Sequence, residues 1–360
     1  MSFAALHGVL GAAISSVMLR SARQKVPPRP ASRRVTARKQ KNIEVPPPAP
    51  PPSEEERAVA LTERHTALRL RLWPSSGSIL STVDEVTIHC GLVTRGRPHW
   101  HLLTEGLRPR GYELSVRVQK EKEEFAPPPW AVHLLSTLIA RAKEGQLSAD
   151  TNQVMVLAQG IAPGTDSELF GVVFTADPEA PELATTHDRL PVLLAVPVTR
   201  DEARAVREWS PPALVEVLGK VDPLLITLLD RPSLLQSPRA RILIEQRMEK
   251  EGSSLSTMTA STSNASKTGE VITWKLSVDG VETLCSLLKG RIAHQRPFSV
   301  VSGASRVEVV NGDPATAEFS KRALTLHLTL VAARQMRSLL KGKPGHYTFE
   351  QLPNFVLTVV

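Results

Sequence analysis

The sequence predicts an α+β fold in two domains, each a mainly antiparallel or mixed sheet with packed helices. Segments in which apolar and polar residues alternate, as in strands, are interspersed with segments of helical periodicity. They follow no repeating strand–helix–strand unit, which argues against a doubly wound parallel sheet. The chain has 360 residues, enough for two compact domains and a further terminal segment.

The charge of the chain is concentrated at its N-terminus. The formal net charge is +8, but residues 1–43 contain nine Lys or Arg and no acid. The remaining 35 basic and 36 acidic residues give a net charge of −1. A broad nucleic-acid-binding face would require a basic domain, so this class is not supported for the folded part.

Residues 1–52 form a basic, proline-rich N-terminal segment. Its first part is amphipathic, rich in Arg and Ser and free of acid, which is typical of a mitochondrial transit peptide. A disordered basic tail of a cytoplasmic protein is the alternative. Residues 46–48 and 50–52 are prolines and predict a stiff polyproline spacer.

The first domain, residues 53–235, is predicted to begin with a helix. Ser53 is a suitable cap, and Glu54, Glu55 and Glu56 place acids in the first turn. We expect this helix to continue to about residue 71.

Two strands joined by a turn are predicted over residues 96–118. His99 and His101 fall on one side of a two-residue period, and Trp100 and Leu102 fall on the other. Two imidazoles on one strand face suggest a metal site, but zinc needs three or four ligands. Further ligands would have to come from His89, Cys90 or His133. Since no spacing requires this, we expect core or turn histidines, no metal and no cofactor.

The rest of the chain completes both domains. Further helices are predicted at 130–143, 199–209, 213–220, 238–250 and 332–341. Strands are predicted at 154–157, 169–175, 190–198, 224–229, 271–278, 287–292, 298–301, 307–310, 324–330 and 347–360. Pro197 places the strand at 190–198 at an edge, or ends it. Residues 236–360 form the second domain, with a Ser/Thr-rich disordered loop near 262–269.

Several of these segments together resemble the suppressor of fused (Sufu) family. In the first domain they are HWHLLTEGL, GYELSVRV, APPPWAVHLLSTLIARAKE, VVFTADPE, LLAVPVTRDEARAVREW and LVEVLGKVDPLLIT. In the second they are the Gly-Ser-x-Leu-Ser element at 252–256, the Lys-Gly-Arg at 289–291 and the His-Gln-Arg-Pro-Phe at 294–298. The resemblance covers roughly residues 95–360.

The resemblance implies a non-catalytic protein-binding module that holds an extended peptide between its two domains. The peptide adds to a sheet edge as a strand, which is β-augmentation. The matching positions are Val154 and Val156 in the first domain and Met258 and Ala260 in the second, with Asp166 as the acidic residue beside the edge. The family's familiar partners are Gli-type transcription factors.

Two alternative functions remain open from the sequence. One is a subunit or assembly factor of a mitochondrial ribonucleoprotein, in which only the segment Arg20–Lys41 contacts RNA. The other is an immunity-type protein that neutralises a toxin. An enzyme is not expected, because the chain has neither a Gly-x-Ser-x-Gly elbow nor a phosphate-binding loop.

Overall fold

A computed structural model describes residues 51–74, 77–321 and 323–360. The predicted transit peptide and most of the proline spacer lie outside these residues. Mitochondrial location and RNA contact through this segment therefore stay predictions.

The elements that precede residue 235 build one eight-stranded sheet and its helices. In chain order they are α1 (Glu54–Leu72), β1 (Ser78–Val83), β2 (Val86–Val93), β3 (His99–Glu105), β4 (Glu113–Gln119), α2 (Pro129–Lys143), β5 (Val154–Val156), β6 (Leu169–Ala176), β7 (Glu182–Ala184), β8 (Arg189–Thr199), α3 (Arg200–Glu208) and α4 (Pro211–Val221). The strand order is β1-β2-β3-β4-β8-β6-β5, and β7 pairs with β8 off this path.

The elements that follow residue 235 build two smaller sheets. They are α5 (Pro238–Glu251), β9 (Thr257–Thr259), β10 (Ser263–Thr268), β11 (Val271–Leu276), α6 (Val278–Gly290), β12 (Phe298–Ser302), β13 (Ser305–Asn311), β14 (Thr316–Ser320), β15 (Ala323–Leu328), α7 (Leu330–Leu339), β16 (Gly345–Phe349) and β17 (Leu352–Val359). The sheet orders are β10-β11-β17-β16 and β14-β15-β13-β12-β9. The α+β class is confirmed, whereas the exact division at residue 235 stays a prediction.

The alternation predicted in β3 decides which helices cover each face of the large sheet. Trp100 and Leu102 pack in the core that contains α2. Leu103 points the other way and packs against α1. Farther along that second face, Val196 of β8 packs in the core with α3 and α4. The sheet is thus sandwiched, with α2 on one face and α1, α3 and α4 on the other.

The disordered loop predicted at 262–269 is wrong. Residues 263–268 form β10, which pairs antiparallel with β11 from Ser263↔Leu276 to Thr268↔Val271. Ser263 is buried and accepts a 3.0 Å hydrogen bond from the indole of Trp274. A Ser/Thr-rich composition suits a linker, but it also suits an edge strand whose other face is exposed to water.

Three other element predictions are also corrected. Residues 224–229 form only one isolated bridge, between Thr227 and Val118, so this apolar run is a docked loop. The strand predicted at 287–292 is the end of α6, because Leu284, Leu287 and Leu288 bury one helical face. Strand β8 is central rather than an edge. Its partner β4 pairs only with residues 192–194, so Pro197 interrupts no pairing on that side.

Gly290 lies where the end of α6 meets the end of α3. A Cβ on Gly290 would come within 2.7 Å of both the Glu208 carbonyl oxygen and the Ser253 side chain. Gly290→Ala should therefore lower the melting temperature by roughly 2–10 °C, since overpacking costs about 1–3 kcal/mol. Gly219→Ala in α4 is the matched control, because a Cβ there meets nothing within 4 Å. Equal melting temperatures for both variants would contradict this packing.

Glu113 is buried and predicts a pH dependence of stability. Burial raises the pKa of its carboxyl to about 7, against the hydrogen bonds from Thr104, Gly106 and Leu107. The folded protein therefore keeps a proton that the unfolded chain releases above 4.5. The resulting stability is fully present below that value and is lost as the pH rises through about 7.

The variant Glu113→Gln resembles the protonated side chain and removes this titration. Between about pH 5 and about pH 8, the free energy of unfolding should rise relative to wild type by about 2 kcal/mol. Chemical denaturation at both pH values measures this difference. A difference that does not change with pH would contradict the assignment.

Candidate functional site

The first component of the candidate site is the free edge of β5. Strand β5 ends the order of the large sheet and pairs antiparallel with β6, as Met155↔Val172. The Leu157 N–H donates to the Phe170 carbonyl over 2.8 Å. Because successive residues of a strand direct their backbone groups to opposite sides, those of Val154 and Val156 point away from β6.

The second component is the free edge of β9. This strand ends the order of the five-stranded sheet and pairs in parallel with β12, as Met258↔Val300. The Ser256 carbonyl accepts from β12, and the Ala260 N–H donates to it. The backbone groups of Thr257 and Thr259 therefore point away from β12.

The chain brings the starts of these two edges together. The Asn152 side-chain amide donates to the Ser254 carbonyl over 2.9 Å, and the Ser254 hydroxyl donates to the Asn152 oxygen over 2.5 Å. Asn152 lies just before β5, and Ser254 lies just before β9. Val154 packs against the core around α3 and α4 and also against the core of the two smaller sheets. We call the surface along both edges the β5–β9 seam.

Contacts between α3 and α6 hold the two sides of this seam in place. Glu282 accepts from Arg204 over 2.5 Å and lies 3.7 Å from Arg207. Burial lowers the pKa of Arg207. At the end of α3, the Trp209 indole donates to the Glu251 carboxylate over 2.7 Å. The edges are thus positioned by packed helices.

The predicted site residues occupy different positions relative to the seam. Val154 is half-buried, and Val156 is 43% exposed. Asp166 is exposed in the loop between β5 and β6. Met258 and Ala260 are each only 4% exposed and belong to the core. Their side chains therefore point into the protein. Their role in binding stays a prediction.

Sequence reasoning missed the residues that present the β9 edge and align it. These are Thr257 and Thr259, which supply the outward backbone groups, and the hydrogen-bonded pair Asn152 and Ser254. The polar–apolar–polar alternation of Thr257, Met258 and Thr259 was a usable signal, because a strand separates core side chains from exposed ones. In the structure the three residues are exposed, buried and exposed. The contact between Asn152 and Ser254 has no signature in the sequence.

His99 and His101 are core residues, and their rings bond to different partners. The His99 Nδ1 lies 2.9 Å from the Arg97 carbonyl oxygen, and the His101 Nε2 lies 3.1 Å from the Asp177 carboxylate. Burial lowers the pKa of His99. The guanidinium of Arg117 also binds Asp177, over 2.5 Å. Because the Arg117 side chain is fully buried, its positive charge stays within this network and disfavours a metal cation there.

A different group of side chains has the composition of a metal site. Within the described residues, His65, His89 and Glu105 place one potential ligand atom each within 4.8 Å of one another. Burial lowers the pKa of His65 to about 4, although Glu105 opposes this effect.

Across residues 51–74, 77–321 and 323–360, no helix is long and apolar enough to span a bilayer.

Comparisons with known proteins agree with this architecture. A family model described as suppressor of fused protein matches residues 82–232. The suppressor of fused homologs of Homo sapiens and Mus musculus are each 25% identical to the chain over 173 residues, covering 46% of this chain and 35% of theirs. The match therefore spans about a third of the length of these curated relatives.

The similarity in fold extends further along the chain than the similarity in sequence. The crystal structure of Drosophila Suppressor of Fused superposes with a TM-score of 0.63 at 14% identity, covering 84% of this chain and 96% of that chain. This likeness concerns the fold and includes the part that follows residue 232. Together with the family match over residues 82–232, it agrees with the resemblance seen in the sequence: the chain is similar to suppressor of fused proteins in sequence over that region and in fold beyond it.

Proposed function

We propose that the protein is a non-catalytic binding module that captures an extended segment of a partner protein along the β5–β9 seam. The observation that carries this proposal is the pair of free strand edges that begin side by side. Each edge directs the backbone groups of two residues outward, Val154 and Val156 on β5, and Thr257 and Thr259 on β9. These donors and acceptors are what β-augmentation uses for affinity.

The side chains around the seam favour a segment that carries a basic group. Asp166 is exposed in the loop that joins β5 to β6, so its carboxylate is accessible to a ligand. The exposed Val156 and the half-buried Val154 offer apolar contact on the β5 edge. We therefore expect the ligand to alternate apolar residues with at least one Lys or Arg.

Short edge strands also occur as a protection against aggregation, and β5 and β9 are both short. Under that alternative, the seam binds no peptide, and the proximity of the edges has only a structural role. Peptide selection and substitutions at Val156 distinguish peptide capture from a purely structural role.

Selection from a displayed library of random short peptides tests capture directly. A photo-crosslinking residue at Thr259 or Val156 should label the selected peptide, because both positions lie on the seam. The same crosslinker at Ser320 is the control, since Ser320 is exposed on β14, at the opposite edge of the five-stranded sheet. Failure to select any peptide, or equal labelling from Ser320, would show that the seam is not the binding surface.

Replacement of Val156 separates backbone pairing from side-chain contact. Val156→Pro removes the outward N–H, whereas Val156→Ala keeps it and shortens the side chain. A lost backbone hydrogen bond costs about 1 kcal/mol, so we expect Val156→Pro to weaken binding of the selected peptide by about fivefold more than Val156→Ala. Fluorescence anisotropy with the labelled peptide measures both. Equal affinities of the two variants would exclude pairing at this position.

A further inference from the structure

His65, His89 and Glu105 form a cluster in which one buried ring nitrogen, Nδ1 of His65, has no hydrogen-bond partner among the described residues. His65 comes from the buried face of α1, His89 from β2 and Glu105 from the end of β3. Both histidines are almost fully buried, at 2% and 3% exposure. The cluster lies away from the β5–β9 seam and has no part in the proposed peptide capture.

The hydrogen bond of His65 fixes which ring nitrogen is free. Its Nε2 lies 2.8 Å from the Thr104 carbonyl oxygen, and since a carbonyl only accepts, Nε2 carries the hydrogen. In the neutral ring, Nδ1 then has a lone pair. Within residues 51–74, 77–321 and 323–360 that atom has no hydrogen-bond partner; it is buried and lies 3.5 Å from Oε2 of Glu105. A lone pair and a carboxylate oxygen repel each other at this distance, and a cation bound between them would turn the repulsion into attraction.

Arg69 satisfies only part of the cluster. Its guanidinium donates to Nδ1 of His89 over 2.7 Å and lies 3.6 Å from Glu105. His89 consequently donates from Nε2 to Glu105 over 2.8 Å. These contacts leave the lone pair of His65 unsatisfied. The Arg69 side chain is 25% exposed, so it has a path to solvent.

We propose that His65, His89 and Glu105 form a binding site for Zn²⁺ or a divalent transition metal of similar chemistry. The ligand atoms are Nδ1 of His65, Nε2 of His89 and Oε2 of Glu105. Two imidazoles and one carboxylate are a known zinc donor set, and Zn–N and Zn–O bonds of about 2.0–2.2 Å place tetrahedral ligands about 3.3 Å apart. The 2.8 and 3.5 Å separations from Oε2 lie on either side of this value.

The surroundings supply the second shell and a route of access. The Thr104 carbonyl holds the far nitrogen of His65, which is the usual way in which proteins orient a metal-ligating imidazole. A cavity of about 380 Å³ borders His89, Arg69 and Trp73 and gives solvent a route to the His89 side of the cluster. Metal binding displaces Arg69 from His89, and the His89 ring then carries its hydrogen on Nδ1 in place of Nε2.

A metal at this position connects α1 to the large sheet. The ligands come from three separate elements, and α1 itself buries only Leu61, His65 and Leu68. The helix is thus anchored by a short apolar stripe. Coordination adds a strong link at its centre and should slow the exchange of the α1 amides with solvent.

Titration of the metal-free full chain with Zn²⁺, followed by calorimetry, tests the site. We expect binding of one equivalent, a higher melting temperature, and visible absorption bands of four-coordinate Co²⁺ when cobalt replaces zinc. Glu105→Gln keeps an acceptor for His89 but removes the charge, and it should weaken Zn²⁺ binding by about tenfold or more. His65→Ala should abolish the cobalt bands.

Replacement of Arg69 should have the opposite effect on Zn²⁺ binding. Arg69→Met removes the competing cation and should strengthen Zn²⁺ binding by about tenfold. This outcome is not expected of adventitious surface binding. His133→Ala and His187→Ala are the controls, because both histidines are exposed and lie outside the cluster.

The site does not exist if Zn²⁺ binds as well to folded Glu105→Gln as to wild type. It does not exist either if the control variants, rather than the cluster variants, abolish binding. Should His65→Ala fail to fold, Glu105→Gln and Arg69→Met together still decide the question, since their predicted effects are opposite.

Discussion

The buried carboxylate of Asp177 is the constraint on which the large sheet depends. It accepts from Arg117, His101 and Ser115, and from the backbone N–H groups of Glu179 and Ala180. Burial alone would raise the pKa of Asp177, but the charges and hydrogen bonds of these partners hold it well below its usual range. Removing one partner of such a buried network leaves an uncompensated charge, which costs about 3–5 kcal/mol.

This network also explains why a free edge on the far side of the sheet is well positioned. Asp177 directly follows β6, and its side-chain partners lie on β3 and β4. It therefore reaches across β8 and fixes β3, β4 and β6 relative to one another. Strand β6 in turn fixes the register of β5. The position of β9 relative to β5 is set separately, by α3 against α6 and by the hydrogen bonds between Asn152 and Ser254. Two independent sets of contacts therefore determine the geometry of the proposed seam.

The sequence was sufficient to predict helices and strands that are determined by a clear local pattern. The alternation around Trp100 correctly predicted β3 and its two faces, and Ser53 with the following acids correctly predicted α1. The Ser/Thr-rich β10 was missed because its pairing with β11 outweighs its composition. The end of α6 was predicted as a strand because a short apolar run does not distinguish a helix from a strand.

The sites themselves depend on contacts between distant segments. Val154 and Val156 lie on the edge strand β5, and their role in binding stays a prediction. The outward groups of β9 belong to Thr257 and Thr259, and only the observed register reveals this. The sequence does not indicate His65 as a ligand, because its approach to His89 and Glu105 arises from the packing of α1 on the sheet. It suggests His89 only as a partner for His99 and His101.

Amide hydrogen exchange, followed residue by residue by NMR with and without a bound peptide, tests the central claim most directly. Peptide capture along the seam predicts that the outward amides of Val154, Val156, Thr257 and Thr259 gain protection, while those at the edges formed by β1 and β14 do not change. Protection confined to β1 or β14, with no change at these four amides, would contradict the account.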